Sequence, residues 1–269
     1  MFDNFLHYEP QFRLIIFVST FIIIFSWELL AKKRSSELSV NRTLTNFLLM
    51  VINSLALRLV MPILAIELAF QLETKGFGIL QQIALPKFAT FLISLTLLDL
   101  AIYIQHVIFH KVPFLWRLHR VHHADTVFDV TTGVRFHPGE IIFSMFYKLI
   151  LVLLLGPSAA AVLIFEVLLS SSSLFTHANA RMPRNMDSLL RWFIVTPDMH
   201  RIHHSNQTDE ALTNFGFNLS LWDRLFGTYR TDPTYNHIDM KIGTQNIPAK
   251  KASSIWYMLI SPVYKINMR

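Results

Sequence analysis

Histidine is the residue type that equips this chain to do chemistry. Of its twelve histidines, ten lie between His106 and His204. Two clusters repeat the pattern H-x-x-H-H and one pair is four residues apart, in a series that runs His106, His110, His119, His122, His123, His137, His177, His200, His203 and His204. Because imidazole nitrogens bind zinc, copper, iron and nickel, this pattern predicts a metal site.

The spacing within each cluster matches the geometry of an α-helix. Side chains three and four positions apart lie on one helix face, so each cluster would bring two or three imidazoles to one point. A closed structural zinc site takes only four ligands. The number of clustered histidines therefore favours two metal ions, with positions left open for substrate or oxygen.

Several polar side chains near the clusters are candidates to accept a hydrogen bond from the second ring nitrogen of a ligating histidine. Asp99 and Tyr103 share the helical stripe of His106, while Asp125 and Asp198 adjoin the two H-x-x-H-H clusters. Asp198 has a second explanation, because the sequence T-P-D that it ends is typical of a helix start.

The composition is that of a membrane protein. Hydrophobic residues make up 52% of the 269 residues and charged residues 16%, against about 25% charged in a typical soluble domain. The absence of cysteine excludes disulfides, cysteine-ligated zinc and iron–sulfur clusters. The net charge of +6 comes with basic residues beside apolar segments, which is typical of cytoplasmic anchors. We therefore expect no nucleic-acid partner.

The apolar segments predict an all-α, multi-pass membrane bundle that forms one domain over residues 1–269. Residues 14–105 contain three predicted spans, at 14–31, 43–70 and 84–105. Residues 141–173 form an apolar hairpin whose halves are short for a full span. We therefore expect about four spans, the last two being either short tilted helices or a re-entrant hairpin.

The charges of the predicted spans give two further expectations. Lys148 and Glu166 lie symmetrically about the middle of the hairpin, and we expect them to pair because an unpaired charge in a bilayer is costly. The basic run Lys32-Lys33-Arg34 after the first span marks the cytoplasmic side. Residues 106–140 and 177–230 are then a cytoplasmic helical cap that carries the two-metal site, and residues 231–269 are a C-terminal tail.

Five motifs in order resemble those of the fatty acid hydroxylase / sterol desaturase superfamily. They are DLAIYIQHVIFH, LWRLHRVHHAD, RFHPGE, TPDMHRIHHS and NFGFNLSLWDRLFGT, over roughly residues 95–230. The resemblance implies a membrane enzyme with two iron ions (zinc being an alternative in the isolated protein) that uses O2 and two electrons. It would hydroxylate or desaturate an unactivated C–H position of a lipid. The implied ligands are His106, His110, His119, His122, His123, His177, His200, His203 and His204.

One position departs from the superfamily pattern. Some members have a histidine pair four residues apart in the third position, but here Arg181 follows His177 at that spacing, and a charged guanidinium does not bind a metal. Either His137 fills this place or the site has one ligand fewer. The resemblance also makes Asn214 and Asp223 structural or hydrogen-bonding partners of the site.

The partners expected of such an enzyme are a lipid, the membrane and an external electron donor, either cytochrome b5-like or a ferredoxin with its reductase. Two alternative functions are a histidine-rich membrane metal carrier and a haem electron-transfer protein. A carrier would place histidines and acids at mid-membrane depth on several spans. A b-type haem protein needs few axial histidines and no H-x-x-H-H cluster.

Overall fold

A computed structural model describes residues 2–35 and 39–264, with side chains from residue 8 onward. Within these ranges the chain is helical, with isolated β-bridges and no strand. The last residues of the predicted tail, 265–269, lie outside the described part. The first eight helices are α1 (Phe2–Leu30), α2 (Val40–Val60), α3 (Ala65–Thr74), α4 (Ile79–Gln82), α5 (Lys87–Lys111), α6 (Pro113–His123), α7 (Pro138–Leu155) and α8 (Ala159–Thr176).

The remaining elements are short, and all of them except the first 3-10 turn follow α8. They are α9 (Arg184–Leu190), α10 (Pro197–His203), α11 (Thr208–Ala211), α12 (Leu221–Leu225), α13 (Ala249–Ala252) and α14 (Ile255–Ile260), with 3-10 turns at Val130–Val134 and Ser261–Val263. Together with α6, these elements pack around one end of the long helices and form the cap.

Five segments of the described chain are long and apolar enough to cross a membrane, where the sequence predicts about four spans. They are Tyr8–Leu30, Val40–Gln82, Lys87–Lys111, Pro138–Leu155 and Ala159–Thr176. The second segment is interrupted after α2, near Pro62, and resumes as α3. Proline has no backbone N–H to donate to a helix, which accounts for a break at this place.

The hairpin of α7 and α8 is longer than the sequence predicts. Each helix has 18 residues, about 27 Å at 1.5 Å per residue, because α7 begins at Pro138 and α8 continues to Thr176. Gly156 adopts a left-handed conformation (φ 64°) and ends α7. Its carbonyl accepts a hydrogen bond of 2.8 Å from Gln81, so the hairpin tip lies level with the turn before α5.

Helix α5 also runs past its predicted end at residue 105. No helix-breaking residue occurs before Pro113, and the helix therefore continues to Lys111. His106 and His110 consequently lie on the last turns of this membrane helix rather than in the cap. The helix thus extends six residues beyond the predicted span.

The predicted pairing of Lys148 with Glu166 across the hairpin is confirmed. The Lys148 ammonium contacts one carboxylate oxygen of Glu166, and Arg13 of α1 donates to the other at 2.5 Å. Arg13 also donates to Glu9, one turn earlier in α1, at 3.1 Å. Three helices are thus joined by charges inside an otherwise apolar bundle, where unpaired ions would be costly.

Candidate metal centre

Nine of the ten clustered histidines converge into two groups of buried imidazoles. We name the first group by its members His106, His110, His119, His123 and His203, and the second group by His122, His177, His200 and His204. Within each group the possible ligand atoms lie within 4.8 Å of one another. The two groups are adjacent, since the rings of His123 and His204 stack with their centroids 4.3 Å apart.

Helical spacing decides most of the allocation, but it divides each H-x-x-H-H cluster. The two members four residues apart stay together, so His119 and His123 join the first group, whereas His200 and His204 join the second. The remaining member crosses over: His122 of α6 reaches the second group and His203 of α10 the first. Each cluster therefore brings two of its three imidazoles to one group, within the expected two or three.

The ring orientation of four histidines is fixed by backbone carbonyls. A carbonyl only accepts hydrogen bonds, so the bonded Nδ1 must carry the proton and Nε2 keeps its lone pair. This arrangement directs the basic nitrogen to a metal and holds the ring in place. The four bonds are His106 to Phe215 (2.8 Å), His203 to Thr213 (2.8 Å), His122 to Arg135 (3.0 Å) and His177 to Ser173 (2.7 Å).

The donor set of both groups fits a bound metal ion. In the second group, the Nε2 atom of His177 lies 3.1–3.2 Å from the Nε2 atoms of the other three members. Two of these four Nε2 atoms, those of His122 and His177, keep a lone pair because their Nδ1 is protonated, so these lone pairs face each other. In the first group, both ring nitrogens of His110 and the Nε2 atoms of His123 and His203 are buried without a hydrogen-bond partner. Each such atom costs about 1–3 kcal/mol, which a metal cation would offset.

Burial favours the neutral form, which metal ligation requires, in six histidines of the cap. Burial lowers the pKa of His177 to about 4 and the pKa of His203 to about 3, although a carbonyl hydrogen bond raises each of them. Burial and neighbouring imidazoles lower the pKa of four further rings well below the usual range, those of His122, His123, His200 and His204.

Glu140 is a site residue that the sequence analysis missed. Its carboxylate lies 2.7 Å from Nδ1 of His119, in the place that a backbone carbonyl takes for four other histidines. Its second oxygen, Oε2, is buried without a partner. The signal was present in the motif RFHPGE, which puts an acid in the first turn of α7, but nothing local to that motif indicates that α7 packs beside α6.

His137 is the predicted ligand that the structure keeps out of both groups. It caps α7, with its Nδ1 accepting from the Gly139 N–H at 3.0 Å, and its Nε2 lies 3.1 Å from the Leu259 carbonyl. Arg181 does not occupy the metal centre either, because α8 ends at Thr176 and the Arg181 N–H donates to Ala31. Of the two alternatives, the geometry favours one ligand fewer.

Four polar residues are predicted to bond a ligating imidazole, and Asn214 and Asp223 are predicted as structural or hydrogen-bonding partners of the site. None of the six bonds an imidazole among the described hydrogen bonds. Asp99 accepts instead from Trp222 at 2.8 Å and Asn218 at 2.7 Å. Asp125 accepts from Arg42, and Asp198 from Lys33 and Arg201. Tyr103 pairs with Thr228, Asn214 donates to the carbonyls of Met199 and Arg230, and Asp223 accepts from two backbone N–H groups.

Two of these residues, Asp223 and Asp125, act one step further from the imidazoles. Asp223 accepts from the N–H of Phe215 at 2.7 Å, and the Phe215 carbonyl in turn accepts from His106. Arg42, buried at 3% exposure, binds Asp125 and Asp129 on either side of the loop that leads to Arg135. Asp223 and the Arg42–Asp125 pair therefore hold the backbone near Phe215 and Arg135, whose carbonyls orient His106 and His122. The spacing of residues in the sequence does not reveal this relation.

A cavity of about 390 Å³ opens onto both histidine groups from inside the bundle. It is bounded by α1, α2, α5, α7 and α8, and its histidine end is lined by His106 and His119 of the first group and His122 and His200 of the second. A volume of this order accommodates a small ligand or part of a lipid.

A bundle of apolar helices with two adjoining groups of buried imidazoles defines an integral membrane protein of the histidine-box class. The model of the fatty acid hydroxylase family matches residues 91–228, just over half of the chain. The chain belongs to this family.

Curated relatives in the same superfamily are lipid hydroxylases and monooxygenases. The chain is 32% identical over 151 residues to ornithine lipid hydroxylase OlsE of Rhizobium tropici, covering 56% of this chain and 44% of the relative. It is 30% identical to alkylglycerol monooxygenase of Xenopus tropicalis (49% and 28% covered) and 28% identical to human cholesterol 25-hydroxylase (52% and 51% covered). The matched region is about half or less of each relative. No solved structure matches the chain.

Proposed function

We propose that this protein is an O2-dependent lipid hydroxylase with two iron ions. One C–H bond of the lipid becomes C–OH, the second oxygen atom leaves as water, and an external reductant supplies two electrons while two protons come from solvent. The observation that carries the proposal is the pair of buried imidazole groups at the end of a cavity inside an apolar bundle. The three relatives named above, each a hydroxylase or monooxygenase of a lipid, favour hydroxylation over desaturation.

The nine histidines of the two groups would hold the metal ions, and iron bound there would supply the chemistry that activates O2. The chain's own contribution is positional. Backbone carbonyls and Glu140 fix the orientation of five imidazoles, and the apolar bundle limits the access of water to the cavity. Pre-organised ligands of this kind lose no free energy in reorientation.

We place the electron donor on a separate protein of the cytochrome b5 or ferredoxin class. The chain contains no cysteine for an iron–sulfur cluster, and its clustered histidines other than His137 belong to the two groups. We propose that this donor docks on the cap, beside the two groups. We also place the cap on the cytoplasmic side, because Lys33, Arg34 and Arg42 all contact cap residues and basic residues are enriched on that side of membranes.

The hydroxylase proposal is tested by incubating membranes that contain the protein with isotopically labelled O2 and a reductant. The expected result is one labelled oxygen atom in a lipid, found by mass spectrometry and missing in membranes with the His204→Ala variant. A lipid that loses two hydrogens without gaining oxygen would identify a desaturase instead. No change in any lipid, with both metal ions bound, would contradict the proposal.

The orientation is tested by labelling single cysteines, which is direct because the chain has none of its own. Lys75→Cys lies at the turn before α4 and Lys250→Cys lies in α13, and both side chains are exposed. An impermeant thiol reagent applied from outside the cell should label Lys75→Cys and spare Lys250→Cys. The reverse pattern would put the metal centre on the outer side.

A further inference from the structure

The cavity has a charged wall at a distance from the histidines. Arg13, Lys148 and Glu166 all line it, so two cations and one carboxylate meet on the cavity wall, Lys148 and Glu166 buried and Arg13 half-buried. Counting along α7, Lys148 is eight residues from Glu140, which bonds His119, and this is about 12 Å. Along α8, Glu166 is seven residues from Ser173, which bonds His177, or about 10 Å. Two helices thus place this cationic wall at a similar distance from the metal centre.

The cationic wall has hydrogen-bond donors to spare. An ammonium group has three N–H donors and a guanidinium five. Lys148 makes one described contact, to Glu166, and Arg13 makes two, to Glu166 and Glu9. Lys148 is only 9% exposed, so its remaining donors face the cavity rather than bulk water. A hydrocarbon tail against this wall would desolvate ions without giving them a hydrogen bond.

The histidine end of the cavity has hydrogen-bond acceptors without donors. The Oδ1 atom of Asn53 and the Oε2 atom of Glu140 are buried without a partner, and both residues line the cavity. The Asn53 amide orientation is fixed, because its Nδ2 donates to the Phe136 carbonyl at 3.0 Å. Asn53 and Glu140 are 7% and 5% exposed. A ligand with N–H or O–H donors would satisfy both oxygens.

From these two ends we infer that the cavity binds the polar part of an amphipathic lipid, and that the oxidised C–H bond lies in that part rather than in a hydrocarbon tail. Lys148 and Arg13 hold an anionic group of the lipid, a carboxylate or a phosphate. Asn53 and Glu140 accept from its N–H or O–H groups beside the histidines. This inference rests on the proposed hydroxylase function and names its substrate class.

Binding to the purified full-length protein tests the cationic wall with three matched probes. The probes are an N-acyl amino acid, its methyl ester, and an alkyl phosphate of the same chain length. We expect the protein to bind an anionic probe about 10-fold or more tightly than the ester, since a charge-assisted hydrogen bond is stronger than a neutral one. Comparing the affinities of the N-acyl amino acid and the alkyl phosphate then shows whether the wall prefers a carboxylate or a phosphate.

Substitutions of Lys148 and Arg13 test whether the cationic wall causes the preference for an anionic probe. Lys148→Met leaves Glu166 paired with Arg13, and Arg13→Gln leaves it paired with Lys148, so neither change strands the buried carboxylate. We expect Lys148→Met to reduce the preference for the anionic probe over the ester to about 3-fold or less, because the variant lacks one charged hydrogen-bond donor. The control Arg58→Met removes an exposed charge outside the cavity and should retain the preference. Equal binding of acid and ester by the wild type, or a preference that survives both wall variants, would overturn the inference.

The position of the new oxygen atom gives an independent readout. Tandem mass spectrometry of the labelled product should place the oxygen in the polar part of the lipid. Oxygen in the hydrocarbon tail would overturn this inference and leave the hydroxylase proposal intact. If no lipid gains oxygen although the probes bind as expected, the proposed function fails and the binding site stands.

Discussion

The two histidine groups have similar plans but differ by one ligand. Each contains one pair with a spacing of four from an H-x-x-H-H cluster and the crossing member of the other cluster. The first group gains a second such pair, His106 and His110, from the end of α5. The second group gains only His177, at the end of α8. The difference arises from the helix ends, because α5 continues to Lys111 whereas α8 stops at Thr176.

At Arg181 the chain differs from the superfamily pattern in its backbone conformation as well as in its side chain. After His177 the chain turns to pair with the end of α1, as shown by the hydrogen bonds from Lys33 to Asn179 and from Arg181 to Ala31. A histidine at position 181 would not share a helical face with His177. The second group therefore has four imidazoles, where the first has five.

The largest effect should come from removing a ligand of the second group. His204→Ala leaves three imidazoles there, whereas His203→Ala, one residue earlier, leaves four in the first group. Because metal binding and ligand number are linked, we expect His204→Ala to lower the metal content from about two ions per chain to about one. His203→Ala should stay near two. Elemental analysis of the purified variants measures this, and equal losses in the two variants would show that the groups are not separate.

The support of the second group should be tested next through Arg42. Arg42→Met leaves Asp125 and Asp129 buried without their cation, and removal of one partner from a buried ion pair costs about 3–5 kcal/mol. We expect a large fall in the thermal unfolding temperature. Arg58→Met, in the same helix but exposed, should change the stability by about 0.5 kcal/mol or less. Similar shifts for both variants would mean that the Arg42 network does not support the cap.

Glu140 offers a way to weaken the first group without removing a ligand. Glu140→Gln keeps the shape of the side chain but weakens the acceptor for His119. Loss of such a partner typically costs 10- to 100-fold in metal affinity or activity, and we expect a decrease of about that size. The nearby Ser144→Ala, also in the cavity wall, is the matched control. The idea fails if metal affinity and turnover match those of the control.

The smallest effect should follow from His137→Ala. His137 lies outside both groups and caps α7 through Gly139, so we expect a loss of stability of about 1 kcal/mol, as for other capping residues. The metal content should not change. A variant with one metal ion fewer would make His137 a ligand after all and would remove the asymmetry between the groups.

Local rules predict a large part of this molecule. Apolar segments indicate the long helices, the spacing of four predicts which histidines stay together, and charge cost predicts the Lys148–Glu166 pair. The rest depends on tertiary packing. The crossing of His122 and His203 requires the relative position of α6 and α10, and Arg13 joins Glu166 from a residue far away in the sequence. Backbone carbonyls such as that of Phe215 orient the imidazoles, and a carbonyl leaves no signature in the residue types.

If nine imidazoles form two separate metal sites, the purified full-length wild type must bind two metal ions, and elemental analysis measures this number. We predict about two metal ions per chain, iron or adventitious zinc, together with a visible spectrum that lacks a Soret band. One ion per chain, or a Soret band, would contradict this account.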